Sequence, residues 1–131
     1  MIGKEQGKVT SVRVTVGDLG PKMEVQLAGG GQILGVGIAD IVTYRNQMRP
    51  DGLFYGTADG VIFTEDAQGA SYTGTGVGRM LGRNGAASWR GSQIFQTASP
   101  KLAALNGIVV LFEYEIDETG LNMETTLWEW K

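Results

Sequence analysis

The stretch QILGVGIADIVTYRNQM (residues 32–48) decides the fold class. Leu34, Val36, Ile38, Val42, Tyr44 and Met48 hold one parity through it. A polar or small residue stands between most of them. That is the period of two of an extended strand, and not the 3.6 of a helix. The same alternation recurs at Val12, Val14 and Val16, at Met23, Val25 and Leu27, and at Ile108, Val110, Phe112, Tyr114 and Ile116. Valine, isoleucine, threonine and aromatics dominate these runs, as strands prefer.

Working outward, breaks separate the runs. Pro21, Pro50 and Pro100 fall in GDLGPK, MRPDG and TASPK, and proline is excluded from central strands. Turn signals also stand at AGGG (28–31), EDAQG (65–69), RNG (83–85) and DETG (117–120). Asn84-Gly85 is the best two-residue hairpin. Eight runs remain: 8–17, 22–28, 32–48, 53–64, 70–81, 86–97, 108–117 and 121–130. The segment Ser99-Pro100-Lys101-Leu102-Ala103-Ala104-Leu105-Asn106 has a serine cap, a proline in the first turn and an Asn-Gly stop. It reads as a short helix over 99–106 that plugs or crosses one end of the sheet.

Eight long strands with short connections make a meander. Left open, such a sheet exposes long edges, and closure removes them. The expectation is therefore an all-β chain, residues 1–131 forming a single closed antiparallel barrel of about eight strands with one short helix. A two-layer sandwich is the alternative. Eight strands leave an interior filled by side chains or wide enough for one small ligand. The glycines, 21 of 131 residues, fit strong coiling, with Gly56 and Gly60 on one face and Gly74, Gly76 and Gly78 on another.

Composition excludes much chemistry. The chain has neither cysteine nor histidine. Disulfides, thiol nucleophiles, imidazole metal ligands and Ser-His-Asp triads are out, so neither a metal nor a cofactor is expected. A net charge of −3 gives no electrostatic hold on nucleic acid or anionic lipid. No apolar run is long enough for a membrane-spanning helix. MIGKEQGKVT at the start lacks the apolar core of a signal peptide, so a cytoplasmic location is the expectation. Gly74-Thr75-Gly76-Val77-Gly78 is no phosphate loop. Its spacing is wrong, both flanks read as strand, and no Gly-Lys-Ser/Thr follows.

A few groups carry functional weight. Asp40 and Asn46 share the parity of Val42 and Tyr44. Either both point inward with these apolar residues, or a bulge near Asp40 turns it out. An inward carboxylate must find a partner or rise in pKa, which suits an acid–base role. Asp40, with Tyr44 or Arg90 as helpers, is the catalytic candidate. Arg79, Arg90, Glu113 and Glu129 form either an ion network at one end of the barrel or ordinary outside pairs. Tyr44, Tyr72, Trp89, Phe112 and Tyr114 are the candidate ligand-binding aromatics, since aromatic walls line small-molecule pockets and also fill cores. LFEYE (111–115) and LWEWK (127–131) echo each other and read as one hairpin with its aromatics paired on one face, Glu113 and Glu129 on the other.

The long strand at 32–48, hairpins near Asp51-Gly52 and Asn84-Gly85, and the short helix before the last hairpin make an architectural pattern. It is similar to the allene oxide cyclase-like barrels, a group that includes dirigent proteins and uncharacterised bacterial families. The stretch GTGVGRMLGRNGAASWRGSQIFQT (74–97) resembles their central hairpin. The resemblance implies an eight-stranded barrel with a mostly apolar cavity, in a homo-oligomer, some members steering reactive small molecules by shape. No residue role is carried over by it. Three readings stay open: a module binding a small apolar or amphipathic molecule, a cofactor-free isomerase or cyclase, and a structural oligomeric barrel with no cavity.

Overall fold

The computed structural model describes residues 1–131. Eight strands run in chain order: β1 Gly3–Thr15, β2 Lys22–Ile33, β3 Val36–Met48, β4 Phe54–Thr64, β5 Gly69–Met80, β6 Ala87–Thr97, β7 Val109–Ile116 and β8 Asn122–Trp130. Each pairs antiparallel with the next, and β8 returns to β1 from Gly3↔Leu127 to Lys8↔Asn122. The sheet is a closed barrel with no crossover, and the sandwich is excluded. No helix is long and apolar enough to cross a membrane.

Parity sorts the side chains. The inward set includes Val25, Leu27 and Ile33 on β2, Ile38, Asp40, Val42 and Asn46 on β3, and Phe54 and Ile62 on β4. Tyr72, Trp89, Phe95, Val110, Tyr114, Met123 and Leu127 continue it around the wall. Asp40 follows this parity into the interior, and β3 pairs with both neighbours there without a register shift. A bulge lies instead in β1, between Val9 and Ser11.

Two turns differ from expectation. Gly29-Gly30-Gly31 is not a turn but the middle of β2. A β-carbon on Gly29 or Gly31 would collide with the β1 backbone at Gln6 or Lys4. The glycines thus allow two strands to coil closely together. The chain reverses later, at Leu34-Gly35, where both φ angles are positive (55° and 76°). Those signs mark a primed two-residue turn, which matches strand twist. Leucine is a poor residue for it, and tertiary contacts hold it there. The Leu34 N–H donates to the Ile2 carbonyl at 2.8 Å, and its side chain packs on the core. The 32–48 run is thus the end of β2, a turn and β3. Asn84-Gly85 does not make a two-residue hairpin either. Six residues, Leu81 to Ala86, join β5 to β6, closed by the Leu81 N–H to Ala86 carbonyl bond.

The expected helix is a 3-10 helix, Pro100–Leu105. Ser99 precedes it but its hydroxyl bonds Gln68 and not the helix backbone. Residues three apart eclipse in such a helix, so Leu102 and Leu105 point the same way. Both are fully buried, in one core cluster with Ile33, Ile62, Val110 and Leu127, and plug the end of the barrel where β6 hands over to β7. On β7 and β8 the aromatics do not share a face. Phe112 and Tyr114 turn inward, while Trp128 and Trp130 stand outside because they pair with Leu111 and Val109.

Candidate functional site

The middle layer of the barrel is polar. Glu5 pairs through its backbone with Gly31 on one side and Thr125 on the other, and Asp40 with Gly29. Because Gly29 and Gly31 carry no side chains, nothing on β2 separates the two carboxyls. They meet inside the wall, 4 % and 6 % exposed. The Tyr72 hydroxyl reaches them from β5 and donates to Asp40, at 2.9 Å from Oδ1 and 3.1 Å from Oδ2.

Such a pair cannot hold two full charges in a low-dielectric interior. Burial pushes the Glu5 carboxyl up to about 9, helped by its hydrogen bond to Asp40 and the like charge there. Burial also raises Asp40, against the hydrogen bonds from Glu5 and Tyr72 that favour its ionised form. At neutral pH Glu5 therefore keeps a proton and shares it with Asp40, which also accepts from Tyr72. Burial raises the phenols of Tyr44, Tyr72 and Tyr114 as well, so all three stay neutral donors.

Around this cluster lies an interior cavity of about 70 Å³. Its aromatic wall is built on glycines. A β-carbon on Gly60 would strike the Tyr72 ring, one on Gly78 the Trp89 ring, and one on Gly91 the Phe112 ring. In each case the glycine sits directly across the strand pair from the ring. The rings therefore lie over bare backbone, as aromatic side chains covering a cross-strand glycine do. Tyr44 meets Trp89 and Tyr114 edge-on, with centroids 5.8 and 6.0 Å apart.

All five aromatics singled out from the sequence, Tyr44, Tyr72, Trp89, Phe112 and Tyr114, line this cavity, and so does Asp40. Arg90 does not join them. Strand parity sets it on the outer face, where it bonds Glu115 at 2.6 Å and lies 3.6 Å from Glu113. It is no helper to Asp40. The ion pairs are outside pairs, and Asn46 is inward and buried. Glu5 escaped the sequence reading because its strand was started at residue 8. Gly3, Glu5, Gly7 and Val9 do share one parity, but small and charged residues do not advertise a core face.

Outside the carboxyl pair, the buried oxygens Asn46 Oδ1, Gln93 Oε1 and Tyr114 Oη lack a close, well-aligned hydrogen-bond partner, Tyr114 lying beside the Tyr44 hydroxyl. Glu5, Gln93 and Tyr114 line the cavity. Outside, an open groove of about 1160 Å³ runs across β3 to β7. Gly56, Thr57, Thr75, Gly76 and Phe112 line both spaces, and at Gly56 and Gly76 the wall between them is bare backbone. The groove is solvated, and of its cations Arg45 and Arg90 already pair with carboxylates. No group of three or more metal-ligating side chains exists in the chain.

No family model matches the sequence, and none of the curated proteins matches it significantly. Solved structures do. A conserved protein of unknown function from Rhodopseudomonas palustris superposes with a TM-score of 0.81 at 12 % identity, over 98 % of this chain and 93 % of the other. A protein of unknown function from Clostridium acetobutylicum gives 0.82 at 14 % identity, with the same coverage. At such identities the likeness is one of fold. The chain is a small closed β-barrel whose structural neighbours have no assigned function.

Proposed function

We propose that the barrel is a binding module holding one small amphipathic molecule in its interior cavity. One observation carries this: buried oxygens of Gln93 and Tyr114 stand without close partners beside the Glu5–Asp40 pair, around an interior space walled by aromatic rings. An unpaired buried polar group costs about 1–3 kcal/mol. An occupant that hydrogen-bonds these atoms recovers that cost. The rest of the wall is apolar, from Leu27, Val42, Trp89 and Met123, and suits a short hydrocarbon part. An apolar cavity of about 150 Å³ takes benzene, so this space holds a molecule of about three non-hydrogen atoms. Drug-sized ligands need roughly 300 Å³ or more.

The test is thermal unfolding in a panel of molecules of up to about five heavy atoms: alcohols, amines, amides and ketones. At least one raises the midpoint saturably, as a ligand of the native state must. The effect disappears in Ala58→Leu, which fills the cavity from β4. A panel with no stabilising member overturns the reading.

A second reading has its own support. A carboxyl that keeps its proton near neutrality beside an ionised partner is what general acid–base catalysis needs. On that reading Glu5 and Asp40 shuttle a proton on a small substrate, as a cofactor-free isomerase of the allene oxide cyclase-like type. Turnover of a carbonyl-containing member of the panel, lost in Asp40→Asn, distinguishes it from binding alone.

A further inference from the structure

We infer that the free margin of β1, Val12 to Val16, pairs with the same margin of a second copy of the chain, giving a twofold dimer joined at the end of the barrel away from the plug. This is independent of what the cavity holds. The first argument is the backbone. The last bond of β1 on its β8 side runs from the Val9 N–H to the Leu121 carbonyl at 2.8 Å. Beyond the bulge, Ser11 to Thr15 pair only with β2, from Ser11↔Gln26 to Thr15↔Lys22. No other backbone bond reaches them. The overhang of β6 past β7 is treated differently. Asn106 covers it, accepting from the Thr97 N–H and donating to the Thr97 carbonyl, both at 2.9 Å. An uncovered strand edge is a template for another strand, and proteins guard such edges with lysine, proline or a covering segment. Ser11 to Val16 contain neither lysine nor proline. Their one charge, Arg13, lies on the opposite face from the valines and is held by Glu24.

The second argument is that the segment is its own complement. The bulge at its root turns the valines to the inner face, Val12 opposite Val25 and Val14 opposite Met23. In the lone chain Val12, Val14 and Val16 are 59 %, 65 % and 97 % exposed. Antiparallel strands set facing side chains on the same side of the sheet. A pair centred on Val14 puts Val14 opposite Val14 and Val12 opposite Val16, so the valines of both copies share one face. Arg13 then faces Thr15. A pair centred on Arg13 opposes two arginines, which destabilises it. One centred on Thr15 leaves Val12 without a valine. A foreign strand also finds the free backbone, but a second copy already carries the matching side chains. So short a seam belongs with the small, reversible interfaces.

The test is sedimentation velocity of the full-length chain from roughly 10 µM to 1 mM. The mass rises from one chain towards two across that range. Val14→Lys, which opposes two ammonium groups, stays monomeric throughout. The native chain has no cysteine, so single cysteines read the register. Facing α-carbons lie about 4.5–5.5 Å apart, within reach of a disulfide. Under a mild oxidant Val14→Cys therefore cross-links to a covalent dimer. Val12→Cys, whose twin lies four residues along at about 14 Å, does not. All three substitutions fall at exposed positions and leave the barrel folded. A native chain that is monomeric over the whole range overturns the self-pairing. A dimer that survives Val14→Lys overturns it too, since the seam then lies elsewhere. So does a dimer in which Val14→Cys stays reduced, or in which Val12→Cys cross-links as fast.

Discussion

The two ends of the barrel are made of the same kind of sequence and end up in opposite surroundings. At the helix end, Ile33, Ile62, Val110 and Leu127 lie fully buried in one cluster with Leu102 and Leu105. At the far end, Val12 and Val14 alternate just as cleanly and are 59 % and 65 % exposed. The difference is partnership. β8 pairs with β1 only as far as Lys8, so Ser11 to Thr15 hang from β2 alone, beyond the bulge. Alternation fixes which side a residue takes. A second neighbouring strand and a plug decide whether that side is dry.

The contrast breaks most visibly at the plug. Leu105→Ala removes a fully buried side chain and leaves a hole between rigid strand ends. It lowers unfolding free energy by about 3 kcal/mol, measured by chemical denaturation. The layer between the ends answers to pH instead. Glu5 has a folded pKa raised above its unfolded value. Its stabilising contribution is complete below pH about 4.5 and is lost as pH climbs towards about 9. Glu5→Gln keeps the hydrogen-bonding shape without the titration. At pH 9 it is more stable than the parent by on the order of 2 kcal/mol, and its stability profile from pH 5 to 9 is flatter. At the free end, Val14→Ser changes unfolding free energy by less than about 0.5 kcal/mol. A loss there comparable with that of Leu105→Ala means that the valine ribbon is covered in solution.

Much of this was legible in the sequence because parity is a strong signal. The strand class and the closure follow from it, the short helix at 99–106 follows from its cap and stop residues, and parity alone leaves Asp40 open between an inward path and a bulge. Where the reading failed, the residues concerned lacked side chains or used an improbable one. Gly29 to Gly31 look like a turn in isolation and are strand because β1 must lie against them. Leu34 looks like a strand residue and turns because Ile2 and the core hold it there. Glu5 hid in a polar lead-in whose strand character comes from β8, at the far end of the chain. Arg90 is one residue from Trp89, and that single step moves it from one side of the wall to the other.

The glycine bed under Tyr72, Trp89 and Phe112 also sets how this barrel can change. Its wall is already as thin as a polypeptide allows at Gly56, Gly76 and Gly91, so no pruning there enlarges the chamber. On that side, room comes only from shortening the rings. Each shortened ring uncovers a patch of main chain with nothing on it, and the chamber grows by a whole aromatic at a time. The chamber size of this scaffold is therefore stepped, and a lineage or a designer moving it toward larger guests travels in a few discrete jumps.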